Sequence, residues 1–179
     1  MTITHLTLHS LPVTIANTEP AIETGDVVAR LDQSLALLAR YVPHRYRRMQ
    51  RDVHQLVVQR FPCRGAYFPA ERAILTELTF LVNPSFTTAQ IAASIVHEAT
   101  HARVAASLRR EVVNRRPREE RLCREAELEF GLAVPDGAAV IERARASLAL
   151  EDEGVAPEID WEEAWRRVGQ RDRWTGGQS

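Results

Sequence analysis

The chain contains no lysine; all 23 basic residues among its 179 are arginine. Schiff-base chemistry on a lysine amine and a P-loop cation are therefore excluded. Cysteine is nearly absent as well. Cys63 and Cys123 stand far apart and form no CxxC pair, which excludes a zinc ribbon and a thioredoxin-type motif. Both read as buried, reduced thiols. No apolar run approaches the roughly 20 residues that span a bilayer. The opening MTITHLTLHSLPVTIA lacks the basic n-region and long apolar h-region of a Sec-type signal peptide. The expected location is the cytoplasm, with signal-independent secretion left open. An excess of one charge sign is also missing. The formal net charge is −1, so no global field attracts nucleic acid or a membrane surface. Arg45, Arg47, Arg48 and Arg51 point in several directions around a helix and read as a solvated face, without a helix-turn-helix or zinc-finger pattern. Nucleic acid and membranes are not expected partners.

What remains is an ordinary soluble composition, 45% apolar and 26% charged. The length suits one domain over residues 1–179, large enough to bury roughly 70% of its unfolded surface without disulfides. Residues 2–9 alternate loosely and predict a strand; 10–24, with two prolines, read as a loop. Val27, Val28, Leu31, Leu35, Leu38 and Val42 recur at helical spacing. Pro43 ends that helix, and 44–61 reads as a second one. Residues 62–70 are irregular or briefly extended. A strand is expected within 72–84, most strongly over 75–82, stopped by Asn83-Pro84. Helices follow over about 87–110, 118–133 and on to about 150, with a basic link at 111–116 and a turn at Pro135-Asp136-Gly137. Residues 151–163 hold seven acids and no base. Trp161 and Trp165, four apart, suggest the docked face of a last helix, and 170–179 read as a frayed tail.

The helix starting near Thr87 is the most legible element. Thr87-x-x-Gln90 fits a capping box, and Phe86 with Ile91 fits a hydrophobic staple. Midway along it, residues 97–101 read His-Glu-Ala-Thr-His, an HExxH motif. Positions i and i+4 share a helical face, so His97 and His101 can reach one ion. Glu98 points about 100° away, where it can act as general base toward a water at the metal without joining the ligands. A catalytic zinc site usually takes three protein ligands. The six His are at 5, 9, 44, 54, 97 and 101, so none follows the motif and HExxHxxGxxH is absent. A downstream carboxylate is the remaining common choice.

HExxH followed eighteen or nineteen residues later by Glu120 on the next helix resembles the gluzincins, zinc metallopeptidases of the zincin superfamily. The resemblance covers about residues 72–134 and is nearest to the small single-domain members. It implies an α+β, helix-rich fold: a zincin-like core with a small, mostly antiparallel sheet, an active-site helix and a following glutamate helix. It implies Zn²⁺ held by His97, His101 and Glu120, Glu98 as general base, and hydrolysis of a peptide or protein substrate. It also implies that the strand near 75–82 is the edge that binds extended peptide, for which residues 1–20 are a candidate lid. Glu119, Glu125 and Glu127 remain rivals to Glu120. The Asp expected four residues after the ligand Glu, which would orient a ligating His, is Arg124 here. No Tyr or His follows His101, so Tyr67, Tyr46, His44 or an arginine must supply any oxyanion donor. The alternative reading is a non-catalytic zinc-binding structural or protein-interaction domain.

Overall fold

The computed structural model describes residues 1–107 and 115–175, with Arg115 and 170–175 by their backbone alone. The fold is α+β: a mixed five-stranded sheet carrying a layer of helices. Strands β1 (Thr2–Leu8) and β2 (Leu11–Asn17) form an antiparallel hairpin. Helices α1 (Thr24–Tyr41) and α2 (Pro43–Asp52) follow, then β3 (Gln55–Gln59), β4 (Gly65–Phe68) and β5 (Ala73–Glu77). The short α3 (Leu78–Val82) leads into α4 (Thr88–Ser107), which carries the HExxH motif. Helices α5 (Arg115–Ala133), α6 (Ala138–Leu148), α7 (Asp152–Val155) and α8 (Trp161–Thr175) complete the described chain.

The strand order is β1-β2-β3-β5-β4, with β2–β3 and β3–β5 parallel and the two outer pairs antiparallel. The sheet is thus mixed, not mostly antiparallel. Parallel neighbours require crossovers, and α1–α2 supply the one between β2 and β3. Several expectations are corrected here. Residues 11–17 are a strand, not a loop: Leu11, Val13, Ile15 and Asn17 alternate inward. Pro12 precedes the stretch Val13–Ile15 that pairs with β3, so its missing N–H costs no bond there. The hairpin turns at His9 and Ser10, both at positive φ (50° and 68°), the sense of a type I′ turn without its usual Asn-Gly. Tyr46 Oη and Gln50 Nε2 donate to the His9 carbonyl and steady it.

The second helix ends at Asp52, not near residue 61, because 55–59 pair on both sides inside the sheet. The strand expected over 75–82 stops at Glu77. There the buried Glu77 carboxylate accepts the Phe80 N–H (2.6 Å) and the Thr79 hydroxyl and caps α3. The strand-forming residues of this stretch do not alternate cleanly, so the sequence gives no periodicity with which to tell buried strand from buried helix. β5 is also interior; the edge beside the motif helix is β4. Residues 1–20 lie mostly in the strands at the opposite end of the sheet, so they do not cover that edge. The backbone is helical through Thr175. Of the expected basic link, Arg115 and Arg116 already belong to α5, while 111–114, like 176–179 of the expected tail, fall outside the described residues.

Helix α4 is central. From Ala89 to Glu98 nearly every side chain is buried, around the whole circumference, as expected of a helix packed on all sides. Its capping box is formed: the Thr87 N–H donates to Gln90 Oε1 (2.8 Å) and the Gln90 N–H to Thr87 Oγ1 (3.2 Å). The motif therefore begins where the enclosed stretch of this helix ends, with His97 and Glu98 buried and His101 partly open.

Candidate metal centre

The i,i+4 spacing brings the His97 and His101 Nε2 atoms to 3.2 Å from each other. Helix α5 crosses beside them and presents Glu120. One carboxylate oxygen lies 3.3 Å from His97 Nε2, the other 3.4 Å from His101 Nε2. Donors set tetrahedrally at 2.0–2.1 Å from one ion lie about 3.3–3.4 Å apart. Each Nε2 thus has a Glu120 oxygen at the spacing of neighbouring donors around a tetrahedral ion, the two distances running to different oxygens of the one carboxylate. Cys123, one turn after Glu120 and fully buried, also belongs here: a ligand atom from each of His97, His101 and Cys123 lies within 4.8 Å of the others, close enough to hold a metal ion. The i,i+3 relation to Glu120 was the signal for Cys123 in the sequence.

Among the rival carboxylates, Glu119 lines the same cavity and Glu125 is exposed. Glu127 has a different place. It is 1% exposed and accepts from His97 Nδ1 at 2.7 Å, on the face of the ring opposite Glu120. Arg124 and Arg143 each donate to it at 2.8 Å. A carboxylate on Nδ1 sets the tautomer that leaves Nε2 free for a metal. No acid stands at position 124; Glu127, one helical turn further on, is the carboxylate that meets His97 Nδ1, and Arg124 helps to hold it.

Charge follows from this geometry. Burial alone would lower the His97 imidazole, but its hydrogen bonds to Glu120 and Glu127 outweigh it and push it up to about 9. Burial works against the ionised Glu120 and Glu127 too. Contacts with His101 and His97 hold Glu120 well below the usual carboxylate range, and His97, Arg143 and Arg124 lower Glu127. Glu98 behaves oppositely: burial raises it, only partly offset by the two imidazoles. Without metal, the raised His97 contributes stability that is complete below its unfolded value of about 6.5 and lost as pH rises through about 9. The lowered Glu120 and Glu127 contribute stability that is complete above about 4.3 and lost as pH falls. Thermal melts in chelator should therefore peak between roughly pH 5 and 6.5 and weaken toward pH 9 by an order of 1–3 kcal/mol. A flat profile from pH 6 to 9 would contradict a proton shared at this centre.

These residues floor a cavity of about 640 Å³. One wall is β4. An added Cβ at Gly65 would come within 3.2 Å of Glu98 Cγ and Oε1, so glycine there makes room for the Glu98 side chain. The Glu77 N–H donates to the Arg64 carbonyl, which makes Arg64–Glu77 a hydrogen-bonded pair. By the antiparallel alternation, the backbone groups of Gly65 and Tyr67 then point away from β5, to the open edge. Of the oxyanion candidates, Tyr67 lines the cavity, and so do Arg64, Arg116, Arg124 and Arg143. Tyr46 is engaged with His9, and His44 pairs with Glu129 at 3.0 Å; neither lines it. Among the described residues, no helix is long and apolar enough to cross a membrane. In comparisons with known proteins, no family model matches the chain, and neither does any curated protein or solved structure.

Proposed function

We propose that the protein is a zinc-dependent metallohydrolase, a peptidase with a zincin-like core of the gluzincin type. The observation that carries this reading is the convergence of His97 Nε2, His101 Nε2 and the Glu120 carboxylate at mutual distances of 3.2–3.4 Å. An antiparallel edge strand beside the motif helix, and a glutamate helix after it, support the same reading. Bound zinc would supply Lewis acidity toward a scissile carbonyl and lower the pKa of a coordinated water. The chain's own residues do the rest. Glu98, buried and raised, accepts the proton of the attacking water and returns it to the leaving amine. Gly65 and Tyr67 bind an extended peptide through their outward backbone groups, as an added strand. Glu127 keeps His97 Nδ1 protonated and its ring in place. Tyr67 or an arginine of the cavity wall, such as Arg64, is the oxyanion donor in this reading.

A second reading is favoured by one observation. Cys123 lies beside both imidazoles, and a fourth protein donor would close the coordination sphere, as in structural zinc sites. Zinc would then tie α4 to α5, contributing on the order of 10 kcal/mol to folding. Elemental analysis and peptide hydrolysis, on one zinc-reconstituted preparation, separate the readings. The catalytic one expects about one zinc per chain and hydrolysis that chelation abolishes while the fold persists. Glu120→Ala should lower zinc content more than Cys123→Ser or Glu125→Ala does. Unfolding on chelation, with Cys123→Ser losing the metal, would establish the structural site. Less than about a tenth of an equivalent of metal would end both.

A further inference from the structure

The cavity over the metal centre has a wall that belongs to none of the elements that build the centre. Val155, Ala156, Pro157, Ile159 and Trp161 line it, from the segment between α7 and α8. This segment reaches from one side of the mouth to the other. On the α5 side, Arg116 Nη2 donates to the Pro157 carbonyl at 2.7 Å. Arg121 donates to the Leu148 and Leu150 carbonyls and pairs with Asp152 at 3.0 Å. On the sheet side, the Trp161 and Trp165 rings rest on Phe61, with centroids 5.8 and 5.7 Å away. Phe61 in turn packs edge-on against Phe68 at the end of β4.

The two ends differ in strength. Val155 is 2% exposed and anchors the segment firmly, whereas Trp161 and Trp165 are each 47% exposed. Residues 151–163 carry seven acids and no base, so their attachment to Arg116 and Arg121 is partly electrostatic. A segment tied by exposed aromatic contacts and solvent-facing arginines opens locally at low cost, without the core unfolding.

We infer that residues 155–165 form a strap that walls the cleft in cis, so that a peptide reaches the edge of β4 only when Trp161 and Trp165 release Phe61. The inference deepens the peptidase reading and rests on it for its consequence; the strap itself does not. Cys63 provides an independent reporter. It is half-buried and lines the main cavity, and it also lines a second cavity of about 460 Å³ walled by Ala164, Arg167 and Val168 of α8. Each cavity beside Cys63 is thus walled in part by the strap or by the helix that continues it.

The test uses the full chain and a maleimide reagent. In Trp161→Ala/Trp165→Ala, and separately in Arg116→Gln, alkylation of Cys63 should accelerate by about threefold or more, the scale of losing one or two such contacts. The fully buried Cys123 should stay unmodified, which certifies the fold. With zinc bound, peptide hydrolysis should rise alongside. If Cys123 also reacts in the tryptophan variant, Arg116→Gln alone decides. Unchanged Cys63 rates in the folded variants overturn the strap. Faster alkylation without hydrolysis by any variant upholds the strap and overturns the peptidase reading.

Discussion

Glu98→Gln should lower the rate of peptide hydrolysis by about 10²–10⁴-fold, the range a general base supplies, while leaving zinc content unchanged. The amide keeps the shape of the side chain against Gly65 but cannot accept a proton. Stability should stay equal or rise, since burial already disfavours the ionised carboxylate. Activity, metal content and a thermal melt on one preparation check all three. Loss of zinc would make Glu98 a ligand, and full activity would remove it from the mechanism.

Glu127→Ala should weaken metal binding by about 10–100-fold, the usual loss when a histidine's orienting partner is removed. It should also destabilise the protein by about 3–5 kcal/mol, because it strands buried groups in a charged network. Arg124 and Arg143 would lose their carboxylate, and His97 Nδ1 its acceptor. Glu127→Gln should cost less on both counts, since its carbonyl oxygen can still accept from Nδ1. Chelator competition and denaturant unfolding measure the two effects. An unchanged affinity in Glu127→Ala would mean that packing alone orients the His97 ring.

Where the chain's local chemistry was unambiguous, the sequence sufficed. Helix α1 follows from apolar residues at helical spacing, and the start of α4 from Thr87 and Gln90, whose reciprocal bonds form as expected. The pairing of His97 with His101 needs only the pitch of one helix. Where the outcome rested on a partner far along the chain, local reading failed. β3 is five residues long, and the bonds that make it a strand come from β2 and β5; β2 was hidden instead by its Pro12, although Leu11, Val13 and Ile15 alternate beside β1. The stretch Leu75–Val82 mixes apolar and polar residues without clean alternation, so only the Glu77 cap and its buried surroundings decide that strand gives way to helix.

The same division runs through the candidate site. The sequence by itself determined two imidazoles on one helical face, a base offset from them, and a set of glutamates on the following helix. Which glutamate meets the imidazoles was decided by how α5 crosses α4. That crossing turns Glu120 toward both Nε2 atoms, carries Glu127 to the far side of His97 and leaves Glu125 in solvent. Residues seven apart on a helix, such as Glu120 and Glu127, lie on nearly the same face but about 10 Å apart along the axis. No periodicity can therefore say which of them reaches the near side of the imidazole and which the far side. Tertiary structure alone also decided the edge beside the site. β4 is too short for a hydrophobic pattern, and it becomes the open edge only because β5 is already flanked by β3.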